Sequence, residues 1–143
     1  MRINDLLCGD APRSKMVARS GQRRIELGQF RADVAANTAA LRAANCRRGL
    51  LLTQDTYWAA VGMLALFQSG AVVVMPPNAL PATLASLAGE WDHLASDAGV
   101  AGVASPFLLR AGDGQGSLNG LDPQASEIAL FTSGSSGDPK RVE

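Results

Sequence analysis

At 143 residues the chain is long enough to bury a core unaided, and 47% hydrophobic with 18% charged residues is a globular rather than a disordered composition. Thirteen basic residues balance thirteen acidic ones, so no net field draws the protein onto nucleic acid or an anionic membrane. The pairs Arg23-Arg24 and Arg47-Arg48 are too short to change this and read as solvated surface.

Taken in chain order, residues 1–13 show little periodicity and read as an arm or short helix lying on a neighbouring surface. Residues 17–19 and 23–25 flank Ser20-Gly21-Gln22, a glycine-containing turn that predicts a hairpin. Phe30, Val34 and Leu41, with alanines between them, supply the buried stripe of a helix over residues 28–45. Gln29 suits a capping box, but Glu26 holds the cap position where Ser or Thr serves better. Residues 49–53 form a short apolar run bounded by turn signals, as a buried parallel strand would be. Asp55 then caps a helix running to Gln68, and Gly70 ends it. Residues 71–75 return as the next strand, completing a βαβ unit with an expected right-handed crossover.

Residues 57–77 carry no charge and are about long enough to span a bilayer. Gln68-Ser69-Gly70 interrupts them, however, and Val72-Val73-Val74 prefers a strand, so the stretch reads as soluble core and not as a membrane span. Pro76-Pro77-Asn78 closes the strand, and Pro81 opens a helix to about residue 88. Further strands are predicted near residues 93–96, 101–104 and 107–109. Residues 112–119 are polar and glycine-rich and read as a mobile surface loop. Alternating apolar positions over residues 127–131 predict a strand that leads into the last segment. The sequence contains no internal repeat, and the predicted fold class is α/β, a mainly parallel sheet flanked by helices, with residues 1–143 as one domain.

Cys8 and Cys46 lie far apart with no metal-ligand spacing around them, and no apolar leader with a small-residue cleavage site is present. Reduced thiols, a cytoplasmic location and no metal site are expected. His93 is the only histidine, so a Ser–His or Cys–His mechanism would have to run through it. Beside Trp91 and Asp92 it reads as a surface or hydrogen-bonded residue, and no catalytic residue is assigned.

The chemistry is concentrated in Phe131-Thr132-Ser133-Gly134-Ser135-Ser136-Gly137-Asp138-Pro139-Lys140. Glycines let successive N–H groups turn inward, hydroxyls add donors and the lysine adds a point charge, which together make an anion-binding nest suited to ATP. A Walker A loop is excluded, because Asp138-Pro139 separates Gly137 from Lys140 and Arg141 stands where a magnesium-binding hydroxyl is required. A flexible Ser/Gly tail is the bland alternative. The strand that enters the segment argues against it. Residues 132–140 are therefore read as a phosphate-binding loop.

Residue by residue, this segment resembles the phosphate loop of the adenylate-forming superfamily, which includes acyl- and aryl-CoA ligases, luciferases and the adenylation domains of peptide synthetases. The family pattern is an aromatic followed by Thr-Ser-Gly-Ser/Thr-Thr/Ser-Gly-x-Pro-Lys. Residues 24–41 resemble the family's early Thr-Tyr-x-Glu-Leu helix, with Glu26-Leu27-Gly28-Gln29-Phe30 in place of the usual letters. Residues 48–77, including Phe67-Gln68-Ser69-Gly70-Ala71-Val72-Val73-Val74-Met75-Pro76, resemble its helix and Lys-Ala-Gly-Ala-x-x-x-Pro-Leu strand. The resemblance covers residues 15–143, tight at the loop and loose elsewhere, and Arg141 stands where the family places Gly.

The resemblance implies an ATP- and Mg2+-dependent ligase that joins a carboxylic acid to the thiol of coenzyme A or a carrier protein through an acyl-adenylate. Thr132, Ser133, Gly134, Ser135, Ser136 and Gly137 would cradle the β- and γ-phosphates, with Lys140 adding charge and Pro139 stiffening the turn. Asp138 would point to solvent, since a carboxylate aimed at phosphate opposes binding. The family's adenine-, magnesium- and ribose-binding segments, its hinge and its catalytic lysine all lie downstream of this loop. The 143 residues are therefore expected to be the N-terminal piece of such a ligase, inactive alone. Two other readings stay open: a non-catalytic nucleotide- or phosphate-binding module, and a structural fragment that self-associates through an exposed sheet edge.

Overall fold

The computed structural model describes residues 2–135 and 137–142. Its elements run α1 (Ile3–Cys8), β1 (Met16–Ser20), β2 (Arg23–Glu26), α2 (Leu27–Ala43), β3 (Arg48–Leu51), α3 (Thr56–Ser69), β4 (Val72–Met75), α4 (Pro81–Ser86), β5 (His93–Ser96), β6 (Phe107–Leu108), β7 (Ile128–Ser133) and β8 (Pro139–Arg141). β1 and β2 make the predicted antiparallel hairpin. The other strands form one sheet in the order β6-β5-β3-β4-β7-β8, parallel except for the final β7–β8 pair. The fold class is thus the α/β arrangement that the sequence implied.

Successive strand residues face opposite sides of a sheet, and here each side has its own cover. On one side Leu51, Val73 and Ala95 meet Leu41 of α2 with Ala65 and Leu66 of α3. On the other, Leu50, Val74, Leu94, Ala129 and Phe131 meet Leu84 of α4 and Leu87 just beyond it. Gly49 lets α3 sit close, since a Cβ there would stand 2.2 Å from a Leu66 methyl. Leu7, Ile25, Phe30 and Tyr57 form a separate cluster that joins α1 and the hairpin to α2 and α3.

The helix ends explain why some boundaries were legible and others less so. Glu26 makes no side-chain cap for α2; instead the Leu27 and Gly28 N–H groups donate to the Lys15 and Arg13 carbonyls, each at 2.8 Å, a cap supplied from outside the helix. At its other end Asn45 turns left-handed (φ 57°), while Cys46 N–H reaches the Leu41 carbonyl and Asn45 N–H that of Arg42, the pairing of a Schellman motif. α3 begins as predicted: Asp55 Oδ1 accepts from Tyr57 N–H at 2.7 Å, and its Oδ2 accepts from the Ser20 hydroxyl at 2.8 Å. Asp55→Ala is therefore expected to lower stability by about 1–2 kcal/mol, measured as a lower urea midpoint at unchanged slope. Gly70, at φ 82°, closes α3. Among the described residues no helix is long and apolar enough to cross a membrane.

One expectation needs correction. Residues 101–104 form no strand; Gly102 sits at φ 82° and Val103 N–H bonds back to the Val100 carbonyl, so the chain turns where extension was expected. Residues 112–119 are irregular and largely exposed, as expected, and both ends make hydrogen bonds to the helices. The Gly112 N–H donates to Asp33 Oδ1 at 2.8 Å, and the Asn119 backbone pairs with the Gln68 side-chain amide. Asp33 is 2% exposed and also accepts from the Tyr57 hydroxyl and the Gln29 amide, both at 2.6 Å.

Candidate functional site

In open α/β sheets, ligands gather outside the carboxyl ends of the strands, at the point where successive connections depart to opposite sides. Here β3 leads through α3 to β4 on one side, whereas β4 leads through α4 to β5 on the other side of β3. A crevice of about 360 Å³ opens at this edge, lined by Leu52, Thr53, Gln54, Ala79, Ser96 and Val100 among others. Asp97 fixes its rim: one carboxylate oxygen accepts from Gln54 N–H and the other from Asp55 N–H, each at 2.9 Å. Nothing in the spacing of Asp97 from Gln54 announces this contact, because it depends on β3 and β5 being neighbours.

The predicted phosphate segment reaches the same edge at the end of β7, but as a hairpin rather than one continuous loop. β7 and β8 pair antiparallel, Phe131 opposite Arg141, Thr132 opposite Lys140 and Ser133 opposite Pro139. Thr132, Ser133 and Lys140 therefore stand on strands. Pro139 opens β8 instead of stiffening the turn. As the edge strand, β8 tolerates the missing N–H.

The hairpin gathers some of the predicted residues and separates others. Directly opposed residues share a face, which places Thr132 with Lys140, and the Thr132 hydroxyl lies 3.5 Å from the Lys140 carbonyl. The Lys140 stem folds over Gly134, where a Cβ would meet Lys140 Cε at 3.2 Å and the Asp138 carbonyl at 2.9 Å. Gly134 thus leaves the space that the lysine stem occupies. Ser133 takes the opposite face by alternation. Ser135 and Asp138 are exposed in the turn, Gly137 is left-handed at φ 84°, and its N–H bonds to the Gly134 carbonyl at 3.1 Å. Ser136 lies outside the described residues. Arg141 reaches back to Glu127 Oε1 at 2.8 Å, fastening β8 beside the start of β7.

No family model matches the sequence, nor does any curated protein. Solved structures do. The chain is 25% identical to the N-terminal subdomain of NpsA from Klebsiella oxytoca in complex with 3-hydroxybenzoyl-AMSN, with a TM-score of 0.63 over 85% of this chain and 34% of that one. It is 15% identical to O-succinylbenzoate coenzyme A synthetase (MenE) from Bacillus subtilis in complex with AMP, with a TM-score of 0.66 over 90% and 38%. It is 24% identical to NpsA-ThdA, an artificially fused adenylation–PCP di-domain from Klebsiella oxytoca, with a TM-score of 0.59 over 85% and 27%. The chain therefore spans well under half the length of each of these three structures. The parallel sheet and its flanking helices thus have the fold of the N-terminal subdomain of adenylate-forming enzymes, and the chain matches part of that subdomain.

Proposed function

We propose that this chain is the triphosphate-holding part of an ATP-dependent carboxylic acid:thiol ligase. The observation that carries the reading is the β7–β8 turn, in which Gly134 leaves room for the Lys140 stem beside Thr132 at the sheet's carboxyl edge. In the proposed reaction a carboxylate oxygen attacks the α-phosphorus of ATP. The new O–P bond gives an acyl-adenylate, and the bond to the β-phosphate breaks as pyrophosphate leaves. A thiol, of coenzyme A or a carrier protein, then attacks the acyl carbon and AMP departs. The coenzyme A synthetase and carrier-fused relatives support both kinds of acceptor.

The chain's own contribution is to bind and orient. The Thr132, Ser133, Ser135 and Ser136 hydroxyls and the Gly134 amide are the proposed donors to the β- and γ-phosphates, joined by the Gly137 amide once its bond to the Gly134 carbonyl opens. Lys140 offsets their negative charge, and preorganised donors of this kind act without reorganising during the reaction. Mg2+ prefers carboxylate, phosphate and water oxygens, and Asp138 is the one carboxylate among residues 132–140, so this segment by itself would not supply a protein ligand set for the ion, which would neutralise phosphate charge when bound. The residues of this chain hold the leaving group, and the acid-binding and acceptor groups are expected elsewhere in the parent enzyme.

The test is ATP–pyrophosphate exchange by the full-length protein against a panel of fatty, aryl, hydroxy and amino acids. Exchange that depends on one acid class is expected, and the 143 residues alone are expected to give none. ATP binding without exchange for any acid would replace the ligase reading with that of a nucleotide-binding module.

A further inference from the structure

At the opposite, amino-terminal edge of the sheet, three residues far apart in sequence meet. Cys46 lies in the turn entering β3, and Asp92 and His93 lie where β5 begins; the pairing of Gly49 with His93 brings the two entrances together. One donor atom from each, the Cys46 sulfur, an Asp92 oxygen and a His93 ring nitrogen, lie within 4.8 Å of one another. Cys46 is 6% exposed, whereas the Asp92 and His93 side chains keep 40% and 33% of their surface, so the cluster has a buried floor and an open mouth.

We propose that Cys46, Asp92 and His93 form a binding site for a zinc-class divalent cation, separate from the phosphate hairpin and independent of its chemistry. Sulfur, imidazole nitrogen and carboxylate oxygen together suit Zn2+, which binds them at about 2.0–2.3 Å, rather than the hard cations that seek oxygen alone. The carboxylate is already oriented. Asp92 Oδ2 accepts from the Arg47 and Arg48 N–H groups, each at 3.0 Å, which are the outer contacts that steady a metal ligand. Oδ1 accepts from Arg47 N–H only at 3.3 Å and pairs with His93 Nδ1 at 2.8 Å. An ion entering the cluster would replace the Asp92–His93 hydrogen bond, and the Cys46 thiol proton would pass to solvent as the metal–sulfur bond forms. The nearby Arg48 guanidinium is engaged by Glu90 at 3.2 Å.

The same geometry argues against a nucleophilic cysteine. Burial first, and then the charge of Asp92, pushes the Cys46 thiol up to about 12, so without a metal it stays protonated.

The test uses the full chain, stripped with a chelator and titrated with Zn2+ against a chromophoric competitor. One ion per chain is expected, and Co2+ in its place is expected to give a thiolate-to-cobalt charge-transfer band. His93→Ala, at a partly exposed position, should weaken uptake at least about 10-fold. Cys46→Ser should abolish the charge-transfer band, and Cys8→Ser should change neither readout. Circular dichroism of each variant separates loss of ligand from loss of fold, and His93→Ala decides the matter if Cys46→Ser does not fold. No uptake by the unaltered chain, undiminished uptake by His93→Ala, or a cobalt complex without the band would each overturn the proposal.

Discussion

If the proposed ligase reading holds, Lys140→Ala is expected to lower ATP–pyrophosphate exchange by the full-length protein about 10²–10³-fold, the scale on which one preorganised donor to developing charge is lost. Because the Lys140 stem rests on Gly134, a second substitution should give a similar loss without touching the charge. Gly134→Val sets a branched side chain where Lys140 Cε and the Asp138 carbonyl already leave no room for one methyl group. Lys140→Arg is expected to retain only part of the activity, since a planar fork does not follow the path of a flexible ammonium stem. Initial-rate exchange measurements, with circular dichroism to confirm folding, check all three. Full activity in Lys140→Ala would remove the hairpin from the mechanism.

The second large effect is on stability. Asp33→Ala removes the acceptor shared by the Tyr57 hydroxyl, the Gly112 N–H and the Gln29 amide. A buried donor left without a partner costs about 1–3 kcal/mol; the Tyr57 hydroxyl is buried, while the half-buried Gly112 and Gln29 donors can regain water, so a total loss of about 3–5 kcal/mol is expected from urea unfolding. Gly112→Ala should be comparably damaging by another route, because its Cβ would fall 2.1 Å from the Ala32 carbonyl oxygen. The two changes break the same contact, so their effects should not add. Tyr57 offers an optical check, being the only tyrosine. Burial, and then the bond to Asp33, raises its phenol above the ordinary value of 10.0. The native state therefore holds this proton more tightly than the unfolded chain does. The associated stability is complete below about pH 10 and is lost as the pH rises further. In a folded Asp33 variant, phenolate absorbance should appear at lower pH than in the unaltered chain.

What the sequence revealed was mostly local. The Asp55 cap, the Gly70 stop and the valine run of β4 each act within a few residues, and all three are where spacing placed them. The α2 start was harder to read because its first amides are answered by Arg13 and Lys15, well outside the helix. Residues 101–104 misled because Gly102 takes a left-handed conformation that composition does not reveal. At residues 131–141 the residue types were plain, but the β8 strand was not, since three residues containing a proline give no strand signal. Asp33, Asp97 and the Cys46–Asp92–His93 group escaped for a common reason. Each takes its role from elements that become neighbours only when the chain folds, and periodicity carries no record of that.

The two-oxygen hold of Asp97 on Gln54 and Asp55 continues further, since Asp55 in turn grips the first turn of α3 and the Ser20 hydroxyl. These loops consequently behave as one lintel rather than as separate fringes. Any ligand of the crevice would meet a threshold already set, with the entropy of arranging it lost when the chain folded.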